Sequence, residues 1–391
     1  MLRSGVVVLA CLFARSAYAQ FPPITSRAYA IDLYDGVALG STEMVGMGGA
    51  GAAVALGTAG VLLNPSAIAV RPTTDQGSWS VDYHLDLLTG RFSSDYDNNG
   101  QVASGGASLI TLGIGGRYHD WAVALTGISQ TTPVAGSSPQ LTAEALRARF
   151  TVATQISQID LAVGAGFQVA TFDVTRPMDP GKFEDDLTLF SISGTGVIAG
   201  ATWLPRGESF RIATAVDGPI NGGEVKADHC EAPTCDIDKL PGRVRAPWRV
   251  VAGGAFRWAP SAWNQPVTTP FRDERAVTVA ADIVVTGATS NGHGIEAFGM
   301  QQLQPSGRHT VLGVRGGVDY EWLPGRLRVR GGSYWEPGRF DGVGGRLHAT
   351  FGGDVRVFEF HAWGLRRGRL SITSDAAARY RNFAVSIGFW H

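Results

Sequence analysis

The stretch MVGMGGAGAAVALGTAGVLLNPSAIAV, residues 44–70, is dense in glycine and alanine and lacks the alternation of a β-strand, unlike the sequence that follows it. Glycine lets a backbone approach its neighbours closely and adopt positive φ angles. The run ends at Asn64-Pro65, where the proline ring disfavours α geometry for Asn64. We therefore predict that this stretch forms a compact plug and that the following strands enclose it.

The composition indicates a large core with an unusually apolar surface. The chain has 391 residues, of which 44% are hydrophobic, only 17% are charged and 52 are glycine. A soluble surface normally carries more charge than this. The formal net charge of -1 gives no reason for a polyanion to bind, so we expect no nucleic-acid partner.

The first residues have the three parts of a secretory signal. Arg3 precedes an apolar run over residues 5–13, and Ala17-Tyr18-Ala19 precedes Gln20. We predict a cleaved signal peptide over residues 1–19. Beyond it, no apolar run reaches the ~20 residues that a membrane helix needs. Two classes of exported protein remain, a secreted β-protein and an outer-membrane barrel.

Alternation over long segments favours the barrel. In residues 78–87 and in several later segments, apolar side chains share one strand face and polar or small side chains share the other. A soluble sandwich seldom repeats this over about 14 strands of ten or more residues. We predict an all-β protein, a transmembrane antiparallel β-barrel of about 14 strands, with an N-terminal Gly-rich plug or hatch in residues 20–75 and the barrel in residues 76–391.

Aromatic residues and connection lengths support the same architecture. Short turns are predicted at residues 118–120, 155–158, 204–207 and 323–326, and long polar loops at 89–104, 131–140, 175–186 and 219–242. The final segment, 382–391, alternates like the aromatic-ended last strand that outer-membrane barrels present to their assembly machinery. Five tryptophans near strand ends are predicted to form an aromatic girdle: Trp203, Trp258, Trp322, Trp335 and Trp390.

One hairpin can be aligned from the sequence. A two-residue turn at Pro324-Gly325 places Leu323 opposite Arg326 and Trp322 opposite Leu327. The same register sets the acids of one strand against bases of the next, Glu321 with Arg328 and Asp319 with Arg330. The row Arg326, Arg328, Arg330 is then interpreted as paired wall charges, with an anion-attracting lumen as the alternative.

Arg147 and Arg149 lie on an inward face without an obvious partner, which makes them candidates for binding a substrate carboxylate.

Three other groups of residues are weaker candidates for a site. The set Asp82, His84 and Asp86 could act as a base or bind a metal, but an inward face of a water-filled barrel is polar in any case.

The segment Asp95, Asp97, Asn99, Gly100 matches half of a calcium loop, but Gly106 replaces the bidentate glutamate, so a turn-forming outer loop is favoured. His229, Cys230 and Cys235 could bind zinc, but in an exported chain a Cys230–Cys235 disulfide is favoured. We find no phosphate loop, nucleophile elbow or HExxH motif. We therefore predict no enzyme activity, no metal and no cofactor.

Together, the export signal, the Gly-rich segment, Asn64-Pro65 and the long strands resemble the FadL family of outer-membrane transporters for hydrophobic compounds. Residues 239–258 and 328–337 are also similar to strands in the second half of such proteins. The resemblance implies a hatch motif at Asn64, Pro65 and Ser66, where Ser66 departs from the usual alanine, with the glycines of the hatch at Gly46, Gly48, Gly49 and Gly51.

The resemblance also implies a function. It predicts hatch-gated uptake of long-chain fatty acids or other hydrophobic compounds, with lateral release through a gap in the wall. Its expected partners are hydrophobic small molecules or lipids, outer-membrane lipid and lipopolysaccharide, and the barrel-assembly machinery of the bacterial outer membrane. PorV-like proteins share the glycine-rich start and Asn-Pro, and they imply the alternative of a structural or export partner without transport activity.

Overall fold

The computed structural model describes residues 21–33, 40–70, 77–90, 94–137, 140–176, 187–230, 235–267, 269–361 and 365–390. The predicted signal peptide and His391 lie outside these ranges.

Fourteen long antiparallel strands form a closed barrel, which confirms the predicted fold class. Each strand pairs with the next along the chain, and the last pairs with the first. The strands are β1 Trp79–Gly90, β2 Ala107–Tyr118, β3 Trp121–Val134, β4 Leu141–Ile156, β5 Leu161–Arg176, β6 Leu187–Trp203, β7 Phe210–Asp217, β8 Arg249–Trp258, β9 Val277–Thr286, β10 Val311–Leu323, β11 Leu327–Glu336, β12 Arg346–His361, β13 Leu365–Ala377 and β14 Tyr380–Phe389.

The apolar and polar residues that alternate in the sequence lie on opposite faces of the barrel wall. Large apolar side chains such as Ile114, Val197 and Phe351 are exposed on the outside, where their exposed fractions reach 64% or more. The residues between them face inward and are small or polar. A continuous apolar exterior of this kind is stable against lipid and would be costly in water.

The β10–β11 hairpin confirms the predicted charge pairing and corrects the turn. Asp319 lies opposite Arg330 and Glu321 opposite Arg328, as predicted. The predicted pairs at the tip are wrong, because the register shifts after Glu321 and Leu323 pairs with Leu327. The turn therefore holds three residues, and the N–H of Arg326 donates to the Leu323 carbonyl.

The connections separate by length between the two rims of the barrel. At the short-turn rim, tight turns follow β2, β4, β6 and β10, as predicted, but the connection after β8, residues 259–276, is long. The long-loop rim carries the remaining long connections, and its exception is the two-residue turn between β13 and β14. Long connections at one rim can fold over the barrel mouth.

The aromatic girdle is confirmed in part. Trp203, Trp258, Trp322 and Trp335 are exposed at strand ends. The prediction for Trp390 is wrong, because its ring is buried and packs against the guanidinium of Arg328, 4.5 Å from the ring centre. An arginine at the inner wall offers the indole a cation–π contact that lipid cannot provide.

A small five-stranded sheet lies at the long-loop rim. Ala30–Asp32, from before the barrel, pairs in parallel with Arg243–Ala246 and with Gly292–His293. The outer two strands are Ile220–Asn221 and Pro305–Ser306.

The same rim carries three further local structures. A short 3-10 helix covers Ile237–Lys239, and α3 covers Ile295–Met300. The predicted disulfide between Cys230 and Cys235 is present. Within the described ranges, no helix is long and apolar enough to cross a membrane.

Candidate functional site

Residues 40–70, here called the glycine-rich segment, fold into α1 Thr42–Gly46, α2 Gly57–Val61 and a 3-10 helix Pro65–Ile68. α1 packs on β12 and β13, α2 on β1 and β2, and the 3-10 helix on β4, β5 and β6. The segment thus contacts the wall on several sides of the barrel, and its contacts are made with inward-facing side chains.

Wall carboxylates hold the segment by its backbone. Asp282 of β9 accepts hydrogen bonds from the N–H groups of Gly51 and Ala52, at 2.9 and 3.0 Å. Asp86 of β1 accepts one from the N–H of Thr42, at 2.9 Å. A charged acceptor makes a stronger hydrogen bond than a neutral one, so these carboxylates are strong anchors for short helices with few other capping groups.

The predicted set Asp82, His84 and Asp86 belongs to this anchoring. Asp82 accepts from the N–H of Thr58 at 2.6 Å, and Nδ1 of His84 lies 2.9 Å from the Thr58 hydroxyl. The three residues therefore bind the glycine-rich segment, and no metal or base chemistry is needed to explain them.

Asn64 fixes the end of the segment. Its amide group donates to the Ala52 carbonyl and to the Thr202 hydroxyl of β6, both at 3.0 Å. Its side-chain oxygen accepts from the N–H of Ser66 at 3.1 Å, which caps the 3-10 helix that Pro65 begins. The Ser66 hydroxyl also bonds Asn64 and Thr202, each at 2.8 Å, so the departure from alanine adds polar contacts here.

The predicted hatch glycines lie where the segment touches the wall. Gly48 has a φ of 64° and runs beside the β11 backbone at Ser333, where a side chain would collide. The carbonyl of Gly46 accepts from Thr350 at 3.2 Å, and that of Gly49 from Arg315 at 3.4 Å. Close backbone packing explains why glycine is used there.

A charge network joins α1 to the wall strands β10, β11, β12 and β13. Glu43 bonds Arg369 of β13 and lies 3.2 Å from Arg330 of β11. Arg330 also bonds Asp354 and Asp319. The predicted wall pairing of Arg330 is confirmed, and the network extends it to the glycine-rich segment.

The candidate carboxylate site is a cluster of three arginines around one acid. Arg149 donates to the Leu62 carbonyl at 2.9 Å and lies 3.4 Å from Asp217. Arg249 bonds the same Asp217 at 2.5 Å. Arg147 and Arg249 line an open cavity of about 740 Å³ with apolar residues such as Ile220, and all three arginines line a neighbouring cavity of about 460 Å³.

This arrangement can bind an anion next to apolar surface. Arg149 and Arg249 both contact Asp217, and Arg147 lies beside them at the cavity wall, so guanidinium groups and apolar side chains line the same space. Arg147 and Arg149 were predicted from the sequence, whereas Arg249 and Asp217 were not, since nothing in the local pattern marks residues 217 and 249 as neighbours. Both residues alternate as inward residues of β7 and β8, and this pattern could have added them to the predicted site.

The fold is shared with known channels. A FadL homologue from Pseudomonas aeruginosa superposes with a TM-score of 0.55 at 11% identity, over 90% of this chain and 98% of that one. The CymD monoaromatic hydrocarbon channel gives 0.54 at 14% identity over 90% and 96%. The Ralstonia pickettii toluene transporter TbuX gives 0.50 at 14% identity over 91% and 99%. No protein-family model and no curated protein matches the sequence. The resemblance to the FadL family is thereby confirmed at the level of the fold.

Proposed function

We propose that this protein is a channel of the bacterial outer membrane that takes up long-chain fatty acids or other hydrophobic compounds. Its parts are a cleaved signal peptide over residues 1–19, a hatch over 20–75 and a barrel over 76–391. The barrel is inserted by the barrel-assembly machinery and contacts outer-membrane lipid and lipopolysaccharide. One observation carries the proposal: the glycine-rich segment is anchored across the lumen by hydrogen bonds to Asp86, Asp282 and Thr202.

The physical need for such a channel follows from the substrate. Each CH₂ group exposed to water costs about 0.8 kcal/mol, so a long apolar molecule crosses a polar saccharide layer poorly without a dry path. Cavities that combine apolar walls with Arg147 and Arg249 suit a molecule with an apolar body and a carboxylate. The names of two structural relatives, a monoaromatic hydrocarbon channel and a toluene transporter, support the wider class of hydrophobic compounds.

Lateral release is supported by a short seam in the wall. β6 and β7 share only six residue pairs, from Ile198–Asp217 to Trp203–Ile212. β5 and β6, in contrast, pair along sixteen positions. Above Ile198 the edge of β6 is bordered, instead of by β7, by loop residues and by the two-residue strand Lys226–Ala227. We expect a compound in the neighbouring cavity at Gly218 and Ile220 to leave toward lipid through this weaker border.

Uptake by cells tests the proposal. Cells with the gene should accumulate labelled fatty acid or labelled toluene faster than cells without it. A variant that lacks residues 41–70 should still insert, as judged by heat-modifiable migration, but should lose its preference for hydrophobic over polar solutes. An unchanged preference in that variant would contradict the hatch. Stoichiometric copurification with another envelope protein, without gene-dependent uptake, would instead favour an export partner.

A further inference from the structure

A second cavity opens beneath the long-loop rim and borders the arginine cluster, because Gln130 and Ala145 line both this cavity and the one at Arg147, Arg149 and Arg249. Its open volume is about 680 Å³. Apolar residues form about half of its lining, and the rest includes the polar residues Ser94, Gln101, Gln130 and Thr132 and the acids Asp32, Asp97 and Glu296, of which Asp32 is paired with Arg339. The apolar part includes Ile31, Leu33, Pro133, Ala145, Phe172 and Ile295.

The two acids come from different connections and touch each other. Asp97 lies in the connection after β1, and Glu296 lies in α3. Their side chains lie close enough to hydrogen-bond, which requires a shared proton, and the side chain of Asn99 lies beside Glu296 as well. Burial raises the pKa of Glu296 to about 7, and burial together with Glu296 raises that of Asp97 well above its usual range. The nearby Asp95 adds negative charge, although it lies 3.4 Å from Arg379 and 4.0 Å from Arg346.

Glu296 has a hydrogen-bonding capacity that the described part of the chain does not use. Its side chain is only 7% exposed, and no N–H or O–H group of the described residues donates to its Oε2 atom. Buried acceptors are nearly always satisfied, because an unsatisfied one loses its hydration without compensation. An acceptor left open at the wall of a cavity is suited to a donor on a bound molecule.

We propose that this cavity binds an apolar molecule with a single hydrogen-bond-donating head, and in particular a protonated amine, whose head bonds Glu296 and Asp97. This inference rests on the proposed function and narrows its substrate class. A carboxylate head is repelled by the acid pair and is directed to the arginine cluster. The channel therefore has separate subsites for cationic and anionic heads on similar apolar bodies.

The test uses ligands that share one apolar body and differ in the head. Binding of phenethylamine, 2-phenylethanol, ethylbenzene and 3-phenylpropanoate is measured with the full-length protein in detergent, for the wild type and for Glu296→Gln and Asp97→Asn. Loss of one charged partner should weaken phenethylamine binding about tenfold or more. Binding of 2-phenylethanol should weaken less, and ethylbenzene binding should stay within about twofold of the wild type.

A matched control is Glu208→Gln, which makes the same charge change at an exposed position of the short-turn rim. It should leave all four ligands unaffected, and retained ethylbenzene binding shows that each variant is folded. Equal weakening for all heads, or no amine preference in the wild type, would overturn the inference. Calcium binding that competes with the amine and depends on Glu296 would overturn it as well, in favour of an ion site. Absence of gene-dependent hydrocarbon uptake would instead count against the proposed function itself.

Discussion

The two halves of the lumen use buried charge in opposite ways. Toward the short-turn rim, wall carboxylates such as Asp282 and Asp82 are matched by backbone N–H groups of the glycine-rich segment. Toward the long-loop rim, Arg147, Arg249 and Glu296 line open cavities, and Oε2 of Glu296 has no donor among the described residues. Carboxylates that accept hydrogen bonds from backbone N–H groups hold the segment in place, whereas charged groups that line a cavity are placed to contact a ligand. We infer that the first half closes the barrel and that the second half selects what enters it.

The largest effect is expected when one of the wall carboxylates that bind the glycine-rich segment is removed. Asp282→Ala leaves the buried N–H groups of Gly51 and Ala52 without their acceptor, at a cost of about 1–3 kcal/mol for each group. We expect the glycine-rich segment to loosen and the barrel to leak small polar solutes, measured as single-channel conductance in planar bilayers. Asp120→Ala, in an exposed turn, is the control and should conduct like the wild type.

The close packing of segment and wall gives a second test. A side chain at Gly164 of β5 would meet the Pro65 carbonyl at 2.5 Å, so Gly164→Ala should shift the segment at a cost of about 1–3 kcal/mol. Entry of a charged fluorescent dye into cells should rise, although less than for Asp282→Ala. Gly344→Ala adds the same methyl group in open space and should have no effect. Equal dye entry in both variants would mean that the segment does not close the lumen.

The ligand-selecting role inferred for the half of the lumen toward the long-loop rim is tested at Arg147, which lines two cavities. Arg147→Gln removes one of three guanidinium groups, and we expect affinity for dodecanoate to fall about tenfold relative to dodecanol. The exposed Arg206 provides the matched control as Arg206→Gln. A parallel loss for both ligands would assign Arg147 a structural role instead of carboxylate binding.

The smallest expected effect is on the contact between Asp97 and Glu296. Because burial raises the pKa of Glu296 to about 7, the folded protein holds more protons than the unfolded chain between about pH 4.5 and 7. Stability from this contact is therefore present at low pH and is lost as the pH rises through about 7. Amide hydrogen exchange in α3, corrected for its intrinsic pH dependence, should be a few-fold faster at pH 8.5 than at pH 6. Glu296→Gln should remove that difference, and its persistence would assign it to other groups.

Contacts between neighbours in sequence could be predicted, and contacts across the lumen could not. Glu321 and Arg328 belong to one hairpin, so turn and alternation together set their pairing. The tip of that hairpin was predicted wrongly, because one extra turn residue shifts the register without changing the alternation. The bond from Gly51 to Asp282 joins positions 231 residues apart, and no period in one sequence marks it.

The same limit applies to the functional residues. The inward polarity of Asp82 and Asp86 follows from strand period, but their partners, Thr58 and Thr42, depend on where the glycine-rich segment rests. Trp390 was predicted as a lipid-facing aromatic, and its burial depends on Arg328 of another strand. The arginine site could be half predicted, since Arg147 and Arg149 share a strand while Arg249 reaches the site from a strand on the other side of a six-pair seam.

The pairing of β1 with β14 closes the barrel. These strands meet along only six residue pairs, 84–89 with 383–388, and this contact turns the sheet into a ring. The strand Ala30–Asp32 contacts the long-loop rim, while residues 42–68 contact the inner wall. The segment before β1 can be enclosed more easily by a barrel that is still open than it can be inserted into a barrel that has already closed. We therefore expect β1 and β14 to pair after the rest of the barrel has formed around the glycine-rich segment.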